Sequence, residues 1–209
     1  MNDKAGQFAG KAERWSETAY ASPDAYLAHR AELVATLGVA LVPGDEVLDL
    51  ACGDGGLGPH LLARGLAYRG VDAESAMVEA ASRLLGEAAV VEQGELDTYE
   101  PSAPVAATTV FRAIYYAKNR PAFFARARSF TERKLVFDLN PRQYRVSQIV
   151  SELEAAGFGR VAMRPFLVPQ TRRLPGAAIR VAIALERTPL ARLALRRRFT
   201  YVVAAVVDD

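Results

Sequence analysis

A single cysteine, Cys52, rules out an internal disulfide in this chain of 209 residues and makes a reducing compartment the simplest setting. Lysine is scarce, 4 of the 26 Lys and Arg residues, and with abundant alanine this fits the coding bias of a GC-rich genome rather than a function. Charge of one sign is lacking too: the net charge is +2, so no bulk field calls for nucleic acid as a partner. No apolar run approaches a membrane span, because residues 202–207 are only strand-length. Residues 1–10 are polar and have no apolar signal core, so the expected location is cytoplasmic. What the chain does have is a 51% hydrophobic composition, which excludes disorder and suits one α/β domain with a modest elaboration.

Periodicity predicts alternating helices and strands. Leu27, Leu33, Val34 and Leu37 mark a helix over 24–37 that ends at Gly38. Short apolar runs predict strands at 46–51, 67–71, 88–92, 105–111, 134–139, 160–167 and 199–207. Helices are expected at 57–64, 75–85 (with Ser75 as N-cap), 121–129, 147–156 and, broken near Pro189, 175–197. Such alternation means a largely parallel sheet with right-handed crossovers, whose ligands sit at the carboxyl ends of the strands.

A glycine cluster follows the first strand. Gly53, Gly55 and Gly58 match the spacing of a dinucleotide-binding loop, a weak signal when taken alone. Asp49 at the strand end and Asp54 inside the loop would repel a pyrophosphate placed on a helix N-terminus. The same acids would attract a ligand carrying an amine and a sulfonium, and the glycines would let the backbone come close to it. The run Val47-Leu48-Asp49-Leu50-Ala51-Cys52-Gly53-Asp54-Gly55 resembles the first motif of class I S-adenosylmethionine-dependent methyltransferases, with Ala51 where glycine is usual. The resemblance places the methionine end of S-adenosyl-L-methionine against Asp49, Ala51, Cys52, Gly53 and Gly55, with S-adenosyl-L-homocysteine as product. Asp72, at the end of the second strand about twenty residues on, can accept hydrogen bonds from ribose hydroxyls, a position shared with NAD-binding proteins. In the family pattern Ala73 and Met77 then flank the adenine. Gln93-Gly94-Glu95-Leu96 is similar to the third motif, in which Glu95 and the neighbouring backbone reach the adenine edge, and Phe111 and Arg112 close the cofactor side.

The segment leaving the fourth strand lies over the transferring methyl in the family. Here it reads Arg112-Ala113-Ile114-Tyr115-Tyr116, without the acid or histidine expected of a general base. Tyr115 and Tyr116 are the candidate active-site walls, and His29, on a helix expected to be exposed, is a weaker catalytic candidate. Arg112 can equally pair an acidic substrate or a local acid such as Glu95. Trp15, Tyr20 and Tyr26 suggest an aromatic cap over the acceptor, and Asn140 a substrate contact or a turn. Basic runs at 170–173 and 196–198, interleaved with Leu174, Ile179, Ile183, Leu190, Leu193 and Leu195, suit a solvated helix face and allow a peripheral membrane contact.

The expectation is therefore one Rossmann-like domain over 1–209, with a seven-stranded mostly parallel sheet, a reversed last strand and helices on both faces. Residues 1–40 would form cap or lid helices and 168–198 a helical insertion before the last strand. The implied activity is methyl transfer to a small-molecule acceptor, by oxygen or nitrogen attack, with no metal and no nucleic-acid partner, and with the oligomeric state left open. A nicotinamide-dependent oxidoreductase and a non-catalytic S-adenosylmethionine-binding module are the competing readings.

Overall fold

A computed structural model describes residues 12, 14–189, 191 and 200–208. Seven strands, β1 (Glu46–Leu50), β2 (Ala67–Asp72), β3 (Val90–Gln93), β4 (Val105–Val110), β5 (Thr131–Leu139), β6 (Val161–Pro165) and β7 (Tyr201–Val206), form one sheet in the order β3-β2-β1-β4-β5-β7-β6. Strands β1 to β5 pair in parallel, and β7 runs antiparallel to both β5 and β6. This is the Rossmann-like sheet with a reversed last strand that the sequence pattern implies.

Side-chain alternation explains why helices cover both faces. Along β1, Val47 points to one side and Leu48 and Leu50 to the other; along β7, Val202 and Ala204 oppose Tyr201, Val203 and Ala205. The first face packs on α2 (Pro23–Thr36), α3 (Gly58–Leu62) and α7 (Gly176–Glu186), and receives Leu85 from α4 (Ser75–Leu85). The second packs on α5 (Arg120–Phe130) and α6 (Val146–Ala155), where Phe123, Phe124, Ile149 and Leu153 meet Phe137 and Leu139. Phe124 and Phe137 are completely buried, each stabilising the fold by roughly 1.5–3 kcal/mol. A short helix, α1 (Trp15–Ala19), precedes α2.

Local differences from the sequence reading have simple causes. Ser75 opens α4 as its first helical residue; Glu74 is extended and takes the cap position, and its N–H is held by Asp72 Oδ1 at 3.0 Å. A 3-10 turn over Gly86–Ala88 absorbs the start of the expected third strand, which begins only at Val90. The helix expected over 175–197 with a break near Pro189 stops at Glu186, and helical backbone resumes at Pro189. Leu190, Leu193, Leu195, the Arg196–Arg198 cluster, Phe199 and residues 1–10 lie outside the described residues. Among the described residues no helix is long and apolar enough to cross a membrane, and no group of side chains has the makings of a metal site.

Candidate active site

The chain runs outward from β1 to β2 and β3, then returns to place β4 on the other side of β1. That reversal opens a crevice at the carboxyl ends of β1 and β4. A cavity of about 660 Å³ fills it, within the size range of small-molecule sites.

Its floor is the loop between β1 and α3. Ala51, Gly53 and Gly55 alternate into the left-handed region with φ of 59°, 60° and 74°. Gly53 faces the cavity, where an added Cβ would stand 3.1 Å from the Trp15 ring. Gly55 does not face it. A Cβ there would lie 2.9 Å from the Ala81 Cβ, so this glycine lets α4 approach the loop rather than a ligand, which corrects its expected cofactor contact. Ala51 is one of two non-glycine residues with positive φ among the described residues, and the other, Arg112 at 55°, lines the same cavity. Backbone strain of this kind is held in place by the surrounding bonds and concentrates at binding sites.

Three acids come from successive strand ends. Asp49, only 3% exposed, accepts the Thr109 hydroxyl at 2.6 Å and the Tyr68 hydroxyl at 2.9 Å. Burial pushes its carboxyl up to about 6, against the pull of those two bonds. Asp72 ties the glycine loop to β2: Oδ2 accepts the Gly53 N–H at 2.8 Å and Oδ1 that of Glu74. Burial raises its carboxyl as well. Each oxygen keeps a further lone pair for a ligand donor. Glu95, exposed, and Leu96 line the cavity from the turn after β3, beside Ala73 and the buried Met77. The fourth acid, Asp54, is engaged elsewhere. Its carboxylate accepts the Ser16 hydroxyl at 2.6 Å and the Ser16 N–H at 2.7 Å, latching α1 onto the loop. A Cβ on Gly56 would collide with Ser16 Oγ.

The opposite wall is cationic and aromatic. Arg112 lies 5.5 Å from the Trp15 ring centre and 5.6 Å from that of Tyr20. Arg30, 3% exposed on α2, lies 4.2 Å from the ring centre of Phe111. It donates to the hydroxyls of Tyr20 and Tyr26 at 3.2 and 3.3 Å and to Asp138 at 3.2 Å, while its Nε is buried without a partner. Tyr115 and Tyr116, their ring centres 4.3 Å apart, stand half-exposed at the rim. Burial, then the neighbouring Tyr116, raises the Tyr115 phenol above its ordinary value, so it stays protonated and serves as a donor rather than a base.

Most of the site residues named from the sequence thus share one cavity: Asp49, Ala51, Cys52, Gly53, Asp72, Ala73, Met77, Glu95, Leu96, Phe111, Arg112, Trp15, Tyr20, Tyr115 and Tyr116 all line it. Besides Gly55, three others do not. His29 is buried rather than exposed, its Nε2 2.6 Å from Glu186 and its Nδ1 3.3 Å from Glu32, where it fastens α2 to α7. Asn140 closes a turn by accepting the Arg142 N–H at 3.0 Å. Tyr26 stands behind Tyr20, stacked at 4.3 Å, and supports Arg30. Arg30 itself was missed, although it interrupts the apolar stripe of Leu27, Leu33, Val34 and Leu37 on one helix, and an arginine in such a stripe is a signal of a buried, engaged cation.

Residues 47–134 match a family model described as a methyltransferase domain. A comparison with curated proteins finds no match. Among solved structures, a Haloferax volcanii complex of the Trm112 methyltransferase activator with a protein considered a methyltransferase is similar at a TM-score of 0.71 and 16% identity, over 100% of both chains. Haemonchus contortus phosphoethanolamine N-methyltransferase 2, solved with S-adenosyl-L-methionine, is similar at 0.65 and 15% identity, over 97% of this chain and 60% of that one. The cyclase SpnF, whose reaction is a 4+2 cyclisation, is similar at 0.62 and 14% identity over 86% and 80% of the two chains. By its sheet order, its first-motif match and these likenesses, the chain has the fold of the class I S-adenosylmethionine-dependent methyltransferases.

Proposed function

We propose that the cavity binds S-adenosyl-L-methionine and transfers its methyl group to a small-molecule acceptor. The observation that carries this reading is the convergence of Asp49, Asp72 and Glu95, from the ends of three adjacent strands, on one cavity floored by the Gly53 loop. The residues fit the group. Asp49, a buried carboxylate in need of a countercharge, faces the place of the methionine ammonium, and the orphan Nε of Arg30 suits its carboxylate. Asp72 suits the ribose hydroxyls, with Ala73, Met77, Glu95 and Leu96 around the adenine.

When bound there, the cofactor supplies an electrophilic methyl group on a sulfonium and leaves as S-adenosyl-L-homocysteine. The chain's own contribution is positioning and exclusion of water. Trp15 and Tyr20, held down by the Ser16–Asp54 latch, roof the cavity, and Tyr115 and Tyr116 close the acceptor side. The segment from Arg112 to Tyr116 carries no carboxylate or imidazole, so either the acceptor atom is already nucleophilic at neutral pH, an amine or an ionised oxygen, or the base comes from another segment. The described part of the expected cap gives Trp15, Ser16, Tyr20, Leu27 and Arg30 to the cavity wall, whereas no described residue of 168–189 lines it. Thermal unfolding separates this reading from the oxidoreductase one: S-adenosyl-L-homocysteine is expected to raise the midpoint by several degrees and NAD not at all. A shift with NAD alone would refute it.

A second reading, a protein that binds the cofactor without methylating, is favoured by the missing base and by the likeness to a cyclase. Incubation with methyl-labelled cofactor and a metabolite extract decides between them: label entering a small molecule excludes the binding-only protein.

A further inference from the structure

The acceptor side of the cavity holds a cation, Arg112, whose buried Nη1 has no hydrogen-bond partner among the described residues. The Asp138 carboxylate is turned to other donors: Oδ1 accepts the backbone N–H of Arg112 at 2.7 Å, and Oδ2 accepts Arg30 Nη2 at 3.2 Å. One acid, itself 12% exposed, thus serves a corner with two guanidiniums. Arg112 pays for its place in backbone strain, at φ 55°, and the Asp138 bond fixes that conformation. Its guanidinium carbon lies 5.5 and 5.6 Å from the ring centres of Trp15 and Tyr20, so the aromatic side chains confine it before any ligand arrives. Strain, confinement and an orphan donor at one residue describe a seat built for an anion.

We propose that Arg112 seats an oxyanion of the methyl acceptor, a carboxylate or phosphate on an aromatic body that lies along Tyr115 and Tyr116. The inference rests on the cavity being the cofactor site, and it names the class of the second substrate. An anion could also come from the cofactor's own carboxylate, but the two arginines, which share Tyr20 and Asp138, differ in the groups beyond these. Arg30 is the cation whose field reaches Asp49, where the methionine tail belongs. Arg112 is the cation whose field reaches Tyr115. Of the acidic side chains lining the cavity, Asp49, Asp72, Glu74 and Glu95 follow β1, β2 and β3, while Asp54 is engaged by Ser16 and Asp97 by the Lys118 N–H. An acceptor with its anion on Arg112 is therefore drawn to one end of the cavity and repelled from the other, which fixes its direction of entry.

The test is calorimetric titration of the protein saturated with S-adenosyl-L-homocysteine, using 4-hydroxybenzoate and phenyl phosphate as anionic probes and 4-hydroxybenzamide as the neutral one. At least one anion is expected to bind about tenfold or more tightly than the amide. Arg112→Gln should abolish that preference and weaken S-adenosyl-L-homocysteine several-fold less than it weakens the anions, and Arg112→Lys should restore part of the preference. The Asp138 bond to the Arg112 backbone survives both substitutions, and retained cofactor binding reports that the variants fold. Equal binding of all three probes, no binding of any, or a preference that survives in Arg112→Gln overturns the proposal. A loss of S-adenosyl-L-homocysteine affinity in Arg112→Gln equal to the loss for the anions also overturns it, by giving the seat to the cofactor's carboxylate. Failure of the wild type to bind S-adenosyl-L-homocysteine would instead sink the cofactor reading, and the probe preference is then measured in the cofactor-free protein.

Discussion

Replacing Asp49 with Asn is expected to stabilise the cofactor-free protein and to weaken its hold on the cofactor. Burial raises this carboxyl from 3.8 to about 6, even though Thr109 and Tyr68 both donate to it. A shift of about two units at about 1.4 kcal/mol each amounts to about 3 kcal/mol. Between the two values the native state holds a proton that the unfolded chain has released, so this group's contribution to stability falls as pH rises through that window. Above pH 6 the full penalty is present, and below the unfolded value it is gone. Asn carries no charge, and its amide can still bond to both hydroxyls, accepting from one and donating to the other. Urea unfolding should therefore show the variant gaining about 2–3 kcal/mol on the wild type between about pH 4.5 and about pH 8. Titration with S-adenosyl-L-homocysteine should move the opposite way, at least about tenfold weaker in the variant and weakening in the wild type as pH drops through 6. A stability gap that stays constant across that pH range would mean that no buried charge resides at Asp49, and the reasoning would fail.

Three further outcomes are expected. Ala51→Gly should stabilise the protein by about 0.5–1 kcal/mol in thermal or urea unfolding, because φ 59° strains alanine more than it costs glycine in chain entropy; a loss of stability would show that the Ala51 methyl packs more than it strains. Ser16→Ala should loosen α1 from the loop, and since Trp15 is the chain's 1 tryptophan, its emission should shift to the red and return on adding S-adenosyl-L-homocysteine; an unchanged spectrum would refute the latch. Lys134, buried with its ammonium donating to the carbonyls of Leu37 and Val39, is lowered by burial to about 7, so the unfolded chain keeps its proton at pH values where the native state has lost it. Stability should therefore rise as pH increases above 7, and Lys134→Met should flatten that slope in urea titrations; parallel slopes would refute it.

How much of this was legible in the sequence follows from how local each feature is. Strands such as β4 and β7 are buried on both faces, so β7 appears as an unbroken apolar run and β4 as an uncharged run of Val, Ala and Thr, and neither can be mistaken for surface helix. Asp49 and Asp72 were legible because a strand end, an acid and a glycine are adjacent in the chain. Function assigned to an acid within the loop was harder to read: Asp54 sits five residues from Asp49 with the same chemistry, yet it serves Ser16, which lies 38 residues upstream. Arg30 and Arg112 show the same limit from the other side. Each owes its environment to Asp138, 108 and 26 residues away respectively, and neither distance leaves a trace in local pattern. His29, one position before Arg30 on the same helix, was misplaced for that reason too, since its partner Glu186 lies 157 residues on. What joins these residues is the reversal of the chain between β3 and β4. It brings the acid-bearing strand ends of β1 to β3 beside the arginines after β4 and on α2, so that one cavity acquires a negative end and a positive end that no single stretch of sequence contains.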